Sequence, residues 1–311
     1  MRSSILAIAI LLALPACTTM SDTSPASASA QPAAAAASPS VDTMKRLVQE
    51  LSSDAYEGRA PGSAGEEKTL ALLSAEFAKL GLKPGNNGSW FQDVPLVEIT
   101  AKNVSTLTFT GGKAPVTAAY GPEMVIGPYR TPQPHIAVKD SPVVFVGYGI
   151  NAPEKGWNDY AGLDMTGKTA VILVNDPDFG AETLEGPFNG KAMTYYGRWT
   201  YKFEEAARQG AIGALIVHET PGAGYGWNVV ESPGGENYDV VRPEDDITSL
   251  ALQGWISGET SETLFASAGQ DLAELSIAAR RRDFKPVDLD TTFSASFPVK
   301  SDVVQSQNVL A

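Results

Sequence analysis

Two histidines, one cysteine and a few grouped carboxylates are the residues of this 311-residue chain with the most chemistry to offer. A metallohydrolase needs His and carboxylate ligands close together, with a further carboxylate free to take a proton from metal-bound water. His135 follows Pro134 in a proline-rich stretch, and His218 sits between an apolar run and Glu219. Neither belongs to a closely spaced ligand motif, so neither is expected to hold a catalytic metal. His218 reads instead as a strand-end residue making a local hydrogen bond. Asp176 and Asp178 flank Pro177 and offer two carboxylates to a cation or to acid/base work. Carboxylates in that setting usually form turns by accepting backbone N–H groups, and that is the reading here. Glu244, Asp245 and Asp246 read as a solvated acidic loop.

Nucleophilic and phosphate-binding motifs are missing from the sequence. There is no Gly-x-Ser-x-Gly, and two separated histidines leave little scope for a Ser–His pair. The single cysteine, Cys17, lies in the leader, which excludes a cysteine nucleophile and any intrachain disulfide. No Gly-x-x-x-x-Gly-Lys-Ser/Thr occurs, and Gly147 and Gly149 lack the third glycine of a dinucleotide fingerprint. The net charge of −13 argues against nucleic acid as a partner, because phosphate binding needs clustered Lys and Arg. Arg280, Arg281 and Arg282 form one short basic run, read as a solvated helix end.

The elements that must position these groups are legible in part. Thr169–Val174 and Ala211–Val217 are continuous apolar runs of strand length. Between them, Tyr201–Gln209 has a helical pattern, with Phe203, Ala206 and Ala207 on one side and Lys202, Glu205 and Arg208 on the other. Gly210 closes that helix, since a residue without Cβ adopts the left-handed conformation cheaply. Two buried strands joined through a helix form a βαβ-like unit. Upstream, Met44, Leu47, Val48 and Leu51 fall on one helical face. Ser63 and Glu66 have the spacing of a capping box. The helix after them is expected to bury Leu70, Leu73, Phe77 and Leu80 and to end at Gly81, with Leu82 completing a Schellman contact. Trp90–Ile99 reads as a strand, and Pro95 within it predicts an edge position. Short alternating runs from Lys102 onward, such as Val104, Leu107 and Phe109, predict a β-rich unit. Pro221–Asp246 reads as a glycine-rich loop. Ser261–Ala268 and Asp271–Arg281 read as helices, and Phe293–Val299 and Val303–Ala311 as two strands.

The N-terminus has a different character. Arg2 followed by the apolar run Ile5–Leu14 has the form of a secretion signal over residues 1–16, too short to span a bilayer. Leu14-Pro15-Ala16-Cys17 resembles a bacterial lipobox, in which Cys17 would be lipidated and anchor the protein to the membrane. An ordinary signal peptide cut near Ala16 is the plainer alternative. Residues 17–40, rich in Ser, Ala, Pro and Thr, read as a flexible tether.

Two blocks carry a family resemblance. Thr194–Glu219 (TYYGRWTYKFEEAARQGAIGALIVHE), with Gly167–Phe179 before it and Gly224–Val230 after it, resembles a protease-associated domain. It is similar to the version inserted into bacterial di-zinc aminopeptidases of the aminopeptidase Y and glutamate carboxypeptidase type. Leu51–Pro84 resembles the N-terminal segment of the same enzymes, and the two blocks stand in the family's order. The resemblance implies an α/β parent enzyme. This chain would carry its first helices and edge strand over residues 41–100, a β-rich α+β protease-associated domain over 101–300, and the first returning strand over 301–311. It implies that 303–311 pairs with Trp90–Ile99. It also implies two zinc ions and peptide substrates for the complete protein, with the metal ligands following Ala311 and none in this chain. An unpaired strand there would leave an apolar edge exposed.

In that family the inserted domain lies over or beside the active-site cleft. Tyr195, Tyr196, Arg198, Trp199, Tyr225 and Trp227 come from two loops around the core helix and strand and are candidates for a cleft wall; ordinary packing is the alternative. The expectation is the N-terminal part of a cell-envelope or secreted zinc aminopeptidase, inactive by itself. A non-catalytic surface lipoprotein that uses the domain as a binding module is the rival.

Overall fold

The computed structural model describes residues 40–105, 107–128, 134–231, 236–241 and 250–311. The leader, Cys17, the tether and the acidic run at 244–246 lie outside the described residues. The chain divides into two units, Met1–Glu50 and Leu51–Ala311. In the first, helix α1 (Val41–Leu51) forms where the apolar spacing predicted it, and Arg46 pairs with Glu50 one turn on.

In the second unit α2 (Ala64–Lys79) leads into β1 (Phe91–Ala101), β2 (Leu107–Gly111), β3 (Val116–Ala118) and β4 (Met124–Gly127). Then come β5 (His135–Phe145), the hairpin β6 (Asn151–Ala152) and β7 (Trp157–Asn158), β8 (Thr169–Leu173), α3 (Trp199–Arg208) and β9 (Gly213–His218). Two short helices follow, α4 (Thr220–Ala223) and α5 (Trp227–Glu231), before β10 (Glu236–Val240) and β11 (Leu252–Ser257). Helices α6 (Gly258–Ser267) and α7 (Leu272–Ala279) precede the last strand, β12 (Val287–Val309).

The main sheet is mixed, in the order β10-β1-β12-β5-β8-β9-β11-β4, with β2 and β3 attached to β12. Its centre, β5-β8-β9-β11, is parallel. Strands covered on both faces read as unbroken apolar runs, and every residue of β8 and β9 is buried. Alternation sorts their side chains. Val144, Ala170, Ile172, Ala214 and Ile216 face Phe203 and Ala206 of α3. Val143, Phe145, Val171, Leu215 and Val217 join the other core, with Leu264 and Phe265 of α6 and Leu272 of α7. Each fully buried Val, Leu, Ile or Phe among them contributes ~1.5–3 kcal/mol. The predicted βαβ unit is therefore the middle of a three-layer α/β arrangement. Its helix ends as expected: Gly210 takes φ 87° and the Ala211 N–H reaches Ala206 O at 3.0 Å.

Four expectations need correction. First, 293–299 and 303–311 belong to one 23-residue strand, β12. It turns Leu289, Phe293, Phe297 and Val299 inward and pairs with β5 through two register shifts. It then runs on along β1, from Val299↔Ala101 to Val309↔Phe91. Such shifts bend a strand, which lets one strand serve two parts of the sheet. Second, Pro221–Asp246 is not only loop, since β10 pairs antiparallel with β1 from Leu96↔Val240 to Thr100↔Glu236. Strand β1 is thus paired on both sides there, and Pro95 lies one residue past that stretch. Third, α2 buries only Gly65; Leu70, Leu73 and Phe77 are half-buried and Leu80 is 76% exposed. The helix touches its surroundings through the turn at Asp54–Arg59 and through β12, which leaves much of its apolar side uncovered. Fourth, Lys202 and Glu205 of α3 are buried rather than solvent-facing.

The ends of α2 do match their signals. Ser63 Oγ accepts from Glu66 N at 3.2 Å. The reciprocal bond is displaced by one residue, Glu66 Oε2 accepting from Gly62 N at 2.5 Å, because Ser63 N is taken by Ala60 O. At the far end Leu82 N reaches Phe77 O and Gly81 N reaches Ala78 O, the Schellman pair.

Candidate functional site

In open α/β sheets, ligands gather outside the carboxyl ends of the parallel strands. Here those ends lead into Tyr148, Asn175 and Glu219, and α3 places a fully buried cation beneath them. Lys202 Nζ donates to Tyr148 O at 2.5 Å and to Asn175 O at 2.9 Å. It therefore ties the chain leaving β5 to the chain leaving β8. Burial pushes Lys202 down to about 7, against the opposing pull of Asp176 and Asp159. Burial likewise raises Asp159 to about 6, although Ile150 N–H, Lys202 and Trp157 Nε1–H all favour its charged form. Asp176 is also raised by burial.

The acidic pair after β8 does what turn carboxylates do. Asp176 accepts from Thr194 N at 2.6 Å and Thr194 Oγ1 at 3.0 Å. Asp178 accepts from Phe188 N at 2.9 Å and Gly190 N at 3.2 Å. Both carboxylates pin the 180–194 loop. Nearby, the Tyr160 hydroxyl is buried with no hydrogen-bond partner among the described residues. A buried hydroxyl left unpaired costs stability. Tyr160→Phe is therefore expected to be neutral or to stabilise by up to about 1 kcal/mol, read as an unchanged or raised urea midpoint. A clear loss would show that the hydroxyl has a partner in solution.

The six candidate wall residues fall into separate groups. Tyr195 and Tyr196 pack on Tyr201, with ring centroids at 5.7 and 4.9 Å, and their hydroxyls reach Glu204 and Glu154. Arg198 is exposed at the N-terminus of α3. Tyr225 and Trp227 surround His218 instead, at 5.9 and 5.5 Å, with Trp255 on a further side at 5.9 Å. His218 Nε2 lies 3.1 Å from Tyr225 O, which is the local hydrogen bond expected of it, and burial lowers its pKa. His135 Nε2 meets Ser296 Oγ at 2.8 Å. Among the described residues no ring contact joins the two aromatic groups. Trp199 belongs to neither and packs on Phe203 at 6.1 Å.

Two cavities adjoin these residues. One, of about 550 Å³, lies outside the strand ends and is bordered by Tyr148, Leu173, Glu219, Glu262 and Arg280. The other, of about 270 Å³, is bordered by Trp199, Phe203, Trp255, Gln253 and Asn237. The second has the form of a small-ligand pocket, mostly apolar with a few polar groups. Sequence reasoning reached Trp199 but missed Lys202, Trp255, Gln253 and Asn237. No motif marks them, because the sheet order brings them into place. Among the described residues, no three His, Cys, Asp or Glu side chains are grouped so as to hold a metal ion.

No protein-family model and no curated protein matches the sequence. Among solved structures, the chain is similar to an aminopeptidase from Aneurinibacillus sp. strain AM-1, with 18% identity and a TM-score of 0.40. That match covers 86% of this chain and 46% of the other. It is also similar to BSAP, a zinc aminopeptidase from Bacillus subtilis, with 15% identity and a TM-score of 0.31, over 85% of this chain and 45% of that one. The chain thus spans less than half the length of either enzyme.

Proposed function

We propose that this chain is the N-terminal part of a secreted zinc-dependent aminopeptidase, with a protease-associated domain over 101–300 between two portions of the catalytic domain. The observation that carries this reading is the register of β1 on β12. The resemblance requires 303–311 to lie along Trp90–Ile99, and Phe91↔Val309 through Val97↔Val303 do so, antiparallel. On this reading, peptides are the substrates, Cys17 carries the lipid anchor at the cell envelope, and the aromatic residues around Trp199 and Trp227 face the substrate cleft. The described residues do not fit a two-zinc site, so no step of the hydrolysis is assigned to them.

Two measurements test this. The 311-residue chain, loaded with zinc, is expected to release no amino acid from aminoacyl p-nitroanilides above background. Chelator-sensitive release would refute the division of labour. The intact mass of the native protein, extracted from its own envelope, is expected to lie well above 32.8 kDa. A lipid-modified mass near that of residues 17–311 would favour the non-catalytic binding lipoprotein instead.

A further inference from the structure

The sequence holds two Asn-Gly dipeptides, Asn87-Gly88 and Asn189-Gly190, and the fold treats them differently. Asparagine before glycine is open to attack by the main chain on its own side-chain amide, because glycine has no Cβ to shield the attacking nitrogen. Whether the attack occurs depends on whether that nitrogen is free to reach the amide.

Asn87-Gly88 is free. The pair forms the tip of a tight turn, with φ of 50° and 92°, the type I′ form that Asn-Gly favours. Asn86 and Ser89 close the turn by exchanging backbone hydrogen bonds at 3.0 and 2.8 Å. Both tip residues are exposed. Neither the Asn87 side-chain amide nor the Gly88 N–H has a hydrogen-bond partner among the described residues. Beyond the adjoining residues, nothing lies within 4 Å of where a Gly88 Cβ would stand.

Asn189-Gly190 is locked. Its φ values, 66° and 57°, are also left-handed. Gly190 is buried, however, and its N–H donates to Asp178 Oδ2 at 3.2 Å. Asn189 N donates to Gly186 O, and Asn189 O accepts from Ala192 N, both at 3.3 Å. The Gly190 nitrogen must leave Asp178 before it can attack.

We propose that Asn87 is a site of spontaneous modification, at which the folded chain converts asparagine to aspartate and isoaspartate while Asn189 is spared. The Gly88 nitrogen gives its proton to hydroxide and forms a bond to Asn87 Cγ. The Cγ–Nδ2 bond breaks, and the nitrogen leaves as ammonia with a proton from water. Water then opens the resulting succinimide. Opening at Cγ restores the ordinary main chain and leaves an aspartate. Opening at the Asn87 carbonyl carbon sends the main chain through Cγ, which is isoaspartate. Overall one water is consumed and one ammonia released, with no oxidant and no cofactor.

Isoaspartate lengthens by one bond a turn whose length sets the pairing of its flanks. That turn is fastened to the end of β12, Gly85 N donating to Leu310 O at 3.0 Å and Leu310 N to Trp90 O at 2.8 Å. Amide exchange at Gly85 and Leu310 is therefore expected to quicken in the isoaspartate form.

The test incubates the full chain at mildly alkaline pH, folded and in urea, and follows both dipeptides by peptide mass spectrometry. In urea the two should convert at similar rates. In the folded chain Asn189 should lag Asn87 by at least about tenfold, because its loop must open first. Isoelectric focusing should show one negative charge added to the −13 of the chain. Asn87→Gln should suppress that change, since its longer side chain closes a ring poorly. Asp178→Ala, with an unchanged circular dichroism spectrum, should close most of the gap at Asn189. Conversion at Asn87 no faster than at Asn189 in the folded chain would overturn the proposal. So would a new acidic form that persists in Asn87→Gln.

Discussion

Replacing Lys202 by Met is expected to lower stability by about 3–5 kcal/mol, the usual cost of removing one partner from a buried charged network. The ammonium holds Tyr148 O and Asn175 O together. Met fills much of the volume but leaves both carbonyls without their donor, and it leaves Asp159 and Asp176 without the nearby cation. A urea titration reads the loss as a lower midpoint at unchanged slope. A change within about 0.5 kcal/mol, the range of an ordinary surface substitution, would mean that the network holds nothing.

The pH dependence adds a signature that a mere packing defect would not give. Lys202 falls from its ordinary 10.5 to about 7 in the folded state. Between those values the unfolded chain binds the extra proton, so stability rises with pH across that window. Asp159 acts in the opposite sense, raised from 3.8 to about 6. The folded chain holds the extra proton there, so this contribution is complete at low pH and is lost as pH rises through about 6. Lys202→Met should abolish the rise above about 7 and move the Asp159 transition upward. Parallel pH curves for the two proteins would overturn the assignment.

Gly254→Ala is the second large effect. A Cβ at this position would lie 2.0 Å from Val125 O and 2.8 Å from Ile126 Cα. Both obstacles are backbone, so neither can rotate away. The strand that must yield is β4, which pairs with β11 over only four residues, Gly127↔Gln253 to Met124↔Ile256. The expected loss is about 3 kcal/mol, the upper end for overpacking. Hydrogen exchange should be faster at the β4 amides, while β8 and β9 keep their protection. Unchanged exchange at Ile126 together with an unchanged melting midpoint would show that the two strands separate at no cost.

These two residues show where sequence reading stops. Lys202 occupies a position that helical periodicity assigns to the polar side of α3, between buried Tyr201 and Phe203. Nothing local says that the chain around Tyr148 and Asn175 will cover that side. Gly254 sits inside an apolar run and looks like a weak point in a strand. Its reason is the close passage of a strand more than a hundred residues earlier in the chain. Strand β10 was missed for a related cause. Its half-exposed residues Asn237, Tyr238 and Asp239 show no apolar alternation, and what holds it is backbone pairing to β1, which side-chain patterns do not record.

What the sequence determined by itself is local. The apolar runs of β8 and β9, the helix between them, and the caps at Ser63, Gly81 and Gly210 are read from patterns a few residues long; Asp176 and Asp178 were legible as acceptors of backbone N–H groups, but the groups they take, on Phe188, Gly190 and Thr194, lie 10 to 18 positions along the chain. The pairing of β1 with the end of β12 was also legible, but only through resemblance to a family. The tertiary structure alone decided that β12 runs unbroken, that a lysine and two aspartates lie in the interior, and that the two ends of the sheet meet at one cavity. Those outcomes depend on which distant segments come to lie side by side. The free energy of burying a polar group belongs to that assembled environment and not to the residue's own neighbours in the chain.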